Sequence, residues 1–80
     1  MVEVHLWSGL RRFTDGQLVV PVEAGRVRDM LDALVAANPS LDPVIKAGVS
    51  VSVNGVIVTD LNAAVADSDE VYLIQRIKGG

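Results

Sequence analysis

The sequence predicts an α+β fold in which a mixed sheet of four to five strands packs on one face against a single main helix. Stretches near the start, middle and end of the chain alternate apolar and polar residues, as half-buried strands do. In one intervening stretch, the apolar spacing changes to the three-and-four period of an amphipathic helix. Half of the 80 residues are apolar, so the chain can form one domain with its own core.

The first predicted strand covers residues 2–7, where core-facing and outward-facing side chains alternate. The core-facing residues are Val2, Val4 and Leu6, and the outward-facing residues are Glu3, His5 and Trp7. A polar connection follows, in which Leu10 and Phe13 are the expected contacts with the core.

The second predicted strand covers residues 17–23 and forms a hairpin with the first. The turn dipeptide Asp15-Gly16 precedes it. Pro21 cannot donate a backbone hydrogen bond, which favours a position for this strand at an edge of the sheet.

The main helix follows the second strand. Its apolar stripe consists of Val27, Met30, Leu31, Leu34 and Val35. Asn38-Pro39 ends the helix, because the residue before a proline avoids helical backbone angles. Residues 40–48 are expected to form an irregular crossover, with one short helical turn over residues 41–45.

The remaining strands are predicted over residues 49–53, 56–58 and 71–77. Asn54-Gly55 is a favoured two-residue hairpin turn, and it joins the first two of these strands. Residues 61–69 form a surface connection, in which the run Asp67-Ser-Asp-Glu indicates a turn rather than a calcium loop. A last strand that returns beside the first gives the ubiquitin-like β-grasp, which is the fold that we expect.

Composition excludes several functions. The chain has no cysteine, which rules out disulfides, a zinc site with Cys ligands, iron–sulfur clusters and a thiol nucleophile. A net charge of −3 argues against nonspecific nucleic-acid binding, and no apolar run is long enough for a membrane span. No signal peptide is evident, so we expect a cytoplasmic protein. With one His and few other chemically active side chains, we expect no metal site and no catalytic residues, and hence no enzyme.

Some outward-facing positions of the sheet are apolar. Alternation places the side chains of Ile57 and Ile74 on the face of the sheet opposite to that of the residues next to them in sequence. Trp7 likewise lies on the face opposite the proposed core residues of its strand. If the first, fourth and last strands pair, these three side chains form one exposed patch for a partner protein. The alternative is that residues 38–48 or 59–69 fold over the patch and cover it.

The chain stops at Gly79-Gly80. A glycine tail can adopt almost any backbone angle and can enter a narrow channel of another protein. A carboxylate there needs activation by a partner that uses ATP, after which a sulfur nucleophile gives a thiocarboxylate and an amine gives an amide. A frayed end or a cloning scar is the alternative. We expect a single domain over residues 1–80, with residues 78–80 as a flexible tail.

The chain resembles the MoaD/ThiS family of ubiquitin-like sulfur carriers over essentially its whole length. The resemblance lies in the opening Val4-His-Leu-Trp-Ser-Gly-Leu-Arg-Arg, the hairpin Val53-Asn54-Gly55, the segment Val65-Ala-Asp-Ser-Asp-Glu-Val71, and the terminal Gly79-Gly80. Length and the extended 38–48 segment are more similar to MoaD than to the shorter ThiS.

The resemblance implies that an E1-like enzyme adenylates Gly80, which is then converted to a thiocarboxylate. It further implies a sulfur donor (a sulfurtransferase or a desulfurase) and an acceptor enzyme that makes molybdopterin, thiazole, cysteine or another metabolite. ATP is used by the activating enzyme, and no cofactor is expected on this chain. The resemblance also places Trp7, Ile57 and Ile74 where carriers contact the activating enzyme.

The chain departs from the family pattern at the end of its last strand. MoaD-type proteins are commonly apolar and rich in proline there, whereas this chain has Gln75-Arg76-Ile77-Lys78. Arg76 and Lys78 can contact acidic groups of a partner, or they keep an exposed tail soluble. A ubiquitin-like modifier, joined to a lysine through Gly80, and a non-covalent interaction module are the alternative functions.

Overall fold

The computed structural model describes residues 1–76. The strands are β1 (Val2–His5), β2 (Val19–Val22), β3 (Val49–Val53), β4 (Val56–Val58) and β5 (Val71–Gln75). The helices are α1 (Val27–Ala37) and the short α2 (Asp42–Ala47), and 3-10 segments cover Ser8–Phe13 and Pro39–Leu41.

The five strands form one mixed sheet in the order β2-β1-β5-β3-β4. β1 and β5 are parallel, and every other neighbouring pair is antiparallel. The last strand therefore lies beside the first, as predicted, and the expected β-grasp is confirmed. Pro21 lies in β2 at the sheet edge, where its missing N–H costs no ladder bond.

The sheet order corrects one expectation. We expected the first, fourth and last strands to pair, but β3 lies between β5 and β4. The Asn54-Gly55 turn makes β4 the hairpin partner of β3, and β3 takes the inner position because it pairs with β5 from Val49 to Val53. Both turn residues have positive φ, 53° for Asn54 and 83° for Gly55, as the favoured two-residue turn requires.

The core lies between α1 and the inner face of the sheet. Val27, Met30 and Leu34 of the predicted helical stripe are fully buried, and Leu31 and Val35 are half-buried at its margin. No side chain caps the start of α1. Instead, the N–H groups of Val27 and Arg28 donate to backbone carbonyls of the 61–63 loop, at 3.0 and 2.9 Å. None of the described helices has the length and apolar character needed to span a membrane.

The first strand is shorter than predicted. β1 ends at His5, and the expected irregular connection begins with the 3-10 segment Ser8–Phe13. Leu10 and Phe13 lie three residues apart on the same side of that segment, and both contact the core, as expected. The early end of β1 has a consequence for β5, because the last three residues of β5 pair with β3 alone.

The start of β5 is fixed by a network of hydrogen bonds to the β3–β4 turn. The Asn54 side-chain amide donates to Asp69 Oδ1 at 3.0 Å, and the Glu70 N–H donates to Asn54 Oδ1 at 2.9 Å. The Asn54 N–H donates to the Glu70 carbonyl at 2.8 Å. These bonds join two turns that the sequence separates by about 15 residues, and we call them the turn latch.

The turn latch also includes the backbone around Asp69. The Ala66 N–H donates to Asp69 Oδ2 at 2.8 Å. The hydrogen bond from Asn54, followed by that from Ala66, lowers the pKa of Asp69 below its usual value. The predicted turn over residues 67–70 is thus held by this carboxylate.

Candidate functional site

The site proposed from the sequence is the end of β5 and the residues that follow it. β5 occupies the centre of the sheet, so its direction is set by its pairing with β3 along its whole length. The strand ends at Gln75, and Arg76 is the last described residue. Lys78, Gly79 and Gly80 lie outside the described residues.

Arg76 lies across the corner between α2 and β3. A Cβ atom built on Gly48 would be 3.1 Å from Nη1 of Arg76, so the glycine leaves room for the guanidinium. Gly48 also has a φ of 112°, which side chains rarely tolerate. Arg76, which directly follows β5, therefore lies against the body of the domain at Gly48.

Trp7 lies beyond the end of β1, beside the end of β5. Its half-buried side chain packs against the core and lines two open grooves of about 460 and 480 Å³. We call the first the α2 groove; it is lined by Trp7, Pro43, Val44, Ala47, Gly48 and Arg76, together with Gln75. The second is the 3-10 groove, and its lining includes Trp7, Leu10, Arg12, Phe13, Val44 and Gln75.

Ile57 and Ile74 lie on the outer face of the sheet, as the alternation predicted. They are 52% and 41% exposed, so the alternative of a covered face is wrong for these two residues. Trp7 is half-buried and lies beside residues 43–48, which belong to one of the segments that this alternative named. The expected single patch divides into two surfaces, however. Trp7 lies outside the row of paired strands because β1 ends at His5, and it lines a groove together with residues of α2 instead.

The outer face contains residues that sequence reasoning did not select. Strand register places one residue from each strand in a continuous row, and the row consists of Val19, His5, Tyr72, Ser52 and Ile57. His5, which faces outward as predicted, stacks on Tyr72 with ring centroids 4.4 Å apart. Tyr72 is 45% exposed and central. Its alternation with the buried Val71 and Leu73 was the signal that could have identified it.

The described residues offer few sites for chemistry. No three of their His, Asp and Glu side chains are close enough to hold a metal ion. The ion pairs found there are exposed: Lys46 with Asp42 at 3.0 Å, and the N-terminus with Asp67 at 2.9 Å. Such pairs add little to stability.

Comparison with known proteins places the chain in a family. The model of the ThiS family matches residues 4–80. The chain belongs to the ThiS family. No curated protein matches it at a significant level. Family membership confirms the resemblance inferred from the sequence and supports a sulfur-carrier or ubiquitin-like role.

Solved structures share the fold. A chain of the Amycolatopsis orientalis BexX/CysO complex is 25% identical with a TM-score of 0.81, and all of both chains is covered. SAMP1 from Haloferax volcanii is 31% identical with a TM-score of 0.74, covering 99% of this chain and 98% of that one.

A third similar structure is a complex of subunits 1 and 2 of the molybdopterin-converting factor from Helicobacter pylori. The matching chain is 19% identical with a TM-score of 0.69, and 99% of this chain and 97% of that one are covered. At this identity the similarity establishes the shared fold alone.

Proposed function

We propose that this protein is a sulfur carrier. Its Gly80 carboxylate is adenylated by an E1-like enzyme and converted to a thiocarboxylate, which donates sulfur in the biosynthesis of a cofactor or metabolite. The observation that carries the proposal is the ThiS-family match, which continues through Gly79 and Gly80. The fold supports it, since the chain approaches these residues from the central strand β5.

The proposed chemistry is divided between the chain and its partners. A carboxylate oxygen of Gly80 attacks the α-phosphate of ATP, and pyrophosphate leaves. Hydrosulfide (HS⁻) then attacks the activated carbonyl carbon; a C–S bond forms, the C–O bond to AMP breaks, AMP leaves, and loss of the proton gives the thiocarboxylate. The carrier contributes a tethered carboxylate, while the activating enzyme binds ATP, so the chain needs neither a cofactor nor catalytic residues.

The outer face is the proposed contact with the activating enzyme. Ile57 and Ile74 are exposed apolar side chains, and the stacked Tyr72 and His5 lie between them and β2. Apolar surface of this kind supports a protein interface. Trp7, Arg76 and Lys78 are proposed contacts nearer the tail. The BexX/CysO and Helicobacter pylori structures are themselves complexes of proteins.

The acceptor of the sulfur is an enzyme of the molybdopterin, thiazole or cysteine type. In the Helicobacter pylori structure, a protein of this fold is part of a two-subunit complex of the molybdopterin-converting factor. We propose by analogy that this chain can act as the small subunit of such a complex.

A second candidate is a ubiquitin-like protein modifier. The similarity to SAMP1, a small archaeal modifier protein, favours it. In that function Gly80 is adenylated in the same way, but a lysine amine attacks the activated carbonyl and an amide forms. Conjugates of higher mass in cell extracts indicate a modifier, whereas a sulfur-bearing metabolite indicates a carrier.

The test is ATP–pyrophosphate exchange by the activating enzyme of the same organism. We expect exchange with the wild-type chain, and none after deletion of Gly80. Gly79→Ala should impair exchange, because the tail loses its thin profile. Gly25→Ala is the matched control, since a Cβ at Gly25 has nothing within 4 Å. No exchange with the wild-type chain would contradict both covalent functions and leave the non-covalent module, whereas normal exchange with the Gly80 deletion would contradict the role of Gly80.

A further inference from the structure

We propose that the two grooves beside Trp7 dock a segment of a protein partner in which an apolar side chain lies next to acidic residues. The inference deepens the proposed function and rests on it only for the role of that partner, which also handles the tail. The grooves form a surface distinct from the outer face of the sheet, and their lining indicates the chemical character of the segment that binds there.

The grooves exist because two parallel strands end at different places. β1 stops at His5, whereas β5 continues to Gln75, so one side of the last part of β5 has no strand beside it. Trp7, Val44 and Gln75 line both grooves and form the boundary between them. The open space therefore lies directly beside the strand from which the tail leaves.

The floor of the α2 groove is apolar. Four of its lining residues are apolar, namely Trp7, Pro43, Val44 and Ala47. Tryptophan is enriched among the residues that contribute most to protein interfaces. An apolar or aromatic side chain of a partner fits such a floor, because its burial removes apolar surface of both proteins from water.

Each groove also has an arginine in its lining, and each of these exposed guanidinium groups lies against one neighbouring residue. The Arg12 guanidinium carbon lies 5.0 Å from the centroid of the Phe13 ring in the 3-10 groove. Arg76 lies against Gly48 in the α2 groove. Within residues 1–76, neither arginine forms an ion pair with a carboxylate. Positioned guanidinium groups bind carboxylates through paired hydrogen bonds, with less entropy lost on binding.

Charge is separated along the sheet in a chain whose net charge is −3. At the end of β1 and β5, the chain carries Arg11, Arg12 and Arg76. At the opposite end, β5 is preceded by acidic residues, namely Asp67, Asp69 and Glu70. A partner segment with carboxylates beside an apolar side chain is therefore attracted to the groove end and repelled from the latch end.

The test uses Trp7 as the reporter, since it is the chain's only tryptophan. The probe is a synthetic peptide with a central phenylalanine between glutamates, titrated against the full chain at low salt. The control peptide carries lysines in place of the glutamates. We expect a saturable change in Trp7 emission with the acidic peptide only, weakening as salt is added.

Variants of matched charge locate the binding site. Arg12→Glu and Arg76→Glu should each weaken binding of the acidic peptide by about tenfold, which is the loss of one charge-assisted hydrogen-bonded contact. Arg28→Glu makes the same change of charge on the exposed first turn of α1, outside both grooves, and should have little effect. Circular dichroism checks that each variant is folded.

Several outcomes would overturn the proposal. Equal binding of both peptides, or no change in emission, contradicts acidic recognition. An equal loss with Arg28→Glu shows an effect of net charge alone. If removing residues 77–80 changes Trp7 emission without peptide, the C-terminal residues of the chain itself occupy the groove. If Trp7 emission without peptide depends on the protein concentration, a second copy of the chain occupies it. The peptide assay needs no ATP and no Gly80, so its failure is separate from failure of the sulfur-carrier function.

Discussion

The two ends of β5 differ in how the rest of the chain holds them. At its start, Val71 is fully buried, β1 and β3 pair on both sides, and the turn latch bonds Asp69 and Glu70 to Asn54. At its end, Gln75 and Arg76 are exposed, and only β3 pairs with the strand. Stabilising contacts are therefore concentrated where β5 begins, and exposed side chains are presented where it ends.

The largest expected effect comes from the free end. Deletion of Gly80 should abolish activation by the E1-like enzyme, since the reacting carboxylate is lost or displaced by one residue. The free energy of unfolding should change by less than about 0.5 kcal/mol, because the deleted residue adds nothing to the described core. Urea unfolding, monitored by Trp7 fluorescence, measures the second quantity. A strongly destabilised deletion variant would remove the contrast between the two ends.

The second effect concerns the latch end. Asn54→Ala should destabilise the fold by about 1–2 kcal/mol, because it removes the hydrogen bond to the Glu70 N–H and a residue suited to positive φ. Activation by the partner should be unchanged in the folded protein. The two quantities are measured by urea unfolding and by ATP–pyrophosphate exchange.

Asn62→Ala is the matched control for the latch. Asn62 is also exposed, but it lies outside the left-handed region, and its bond to Asp60 comes from the backbone N–H, which alanine keeps. We expect a change below about 0.5 kcal/mol. Equal destabilisation by the two substitutions would show that the hydrogen bonds of the turn latch do not contribute to the free energy of unfolding.

A third, smaller effect concerns binding of the activating enzyme at the outer face of the sheet, which extends between the two ends of β5. Ile57→Ala and Ile74→Ala should each weaken binding of the activating enzyme by about 1 kcal/mol, with little loss of stability, because both side chains are exposed. Val56→Ala is the control, since Val56 is 64% exposed but points to the other side of β4. Calorimetric titration that finds the same loss for all three would exclude a specific contact.

The smallest effect is the pH dependence of the latch. Asn54 and Ala66 lower the pKa of Asp69 in the folded state, so its charged form contributes stability above the unfolded pKa of about 3.8. That contribution is lost as the pH falls through the lowered folded pKa. Urea midpoints measured between neutral and acid pH should fall less for Asp69→Asn than for the wild type. Asp32→Asn, on the exposed face of α1, should follow the wild type.

Local signals in the sequence predicted much of the fold. The β3–β4 hairpin was predicted to the residue, because Asn54-Gly55 specifies both the turn and its register. The stripe from Val27 to Leu34 located α1, and the family pattern pointed to the tail at Gly79-Gly80. The hairpin and the helix depend on residues close together in the chain, whereas the family pattern is spread over residues 4–80.

The remaining features depend on contacts between distant residues. The alternation of the first strand continues through Trp7, so only packing of the following 3-10 segment shows that β1 ends at His5. Similarly, the position of β3 between β5 and β4 follows from assembly of the sheet. The bond from Asn54 to Asp69 joins two turns that were predicted separately.

The central claim is that Gly80 carries sulfur, and the intact mass of the protein purified from its native host tests it most directly. We predict a species heavier by the difference between sulfur and oxygen, which is absent when Gly80 is deleted. Conjugates of higher mass without that species would support the modifier instead. An unmodified mass alone, with the activating enzyme and a sulfur source present, would contradict the account.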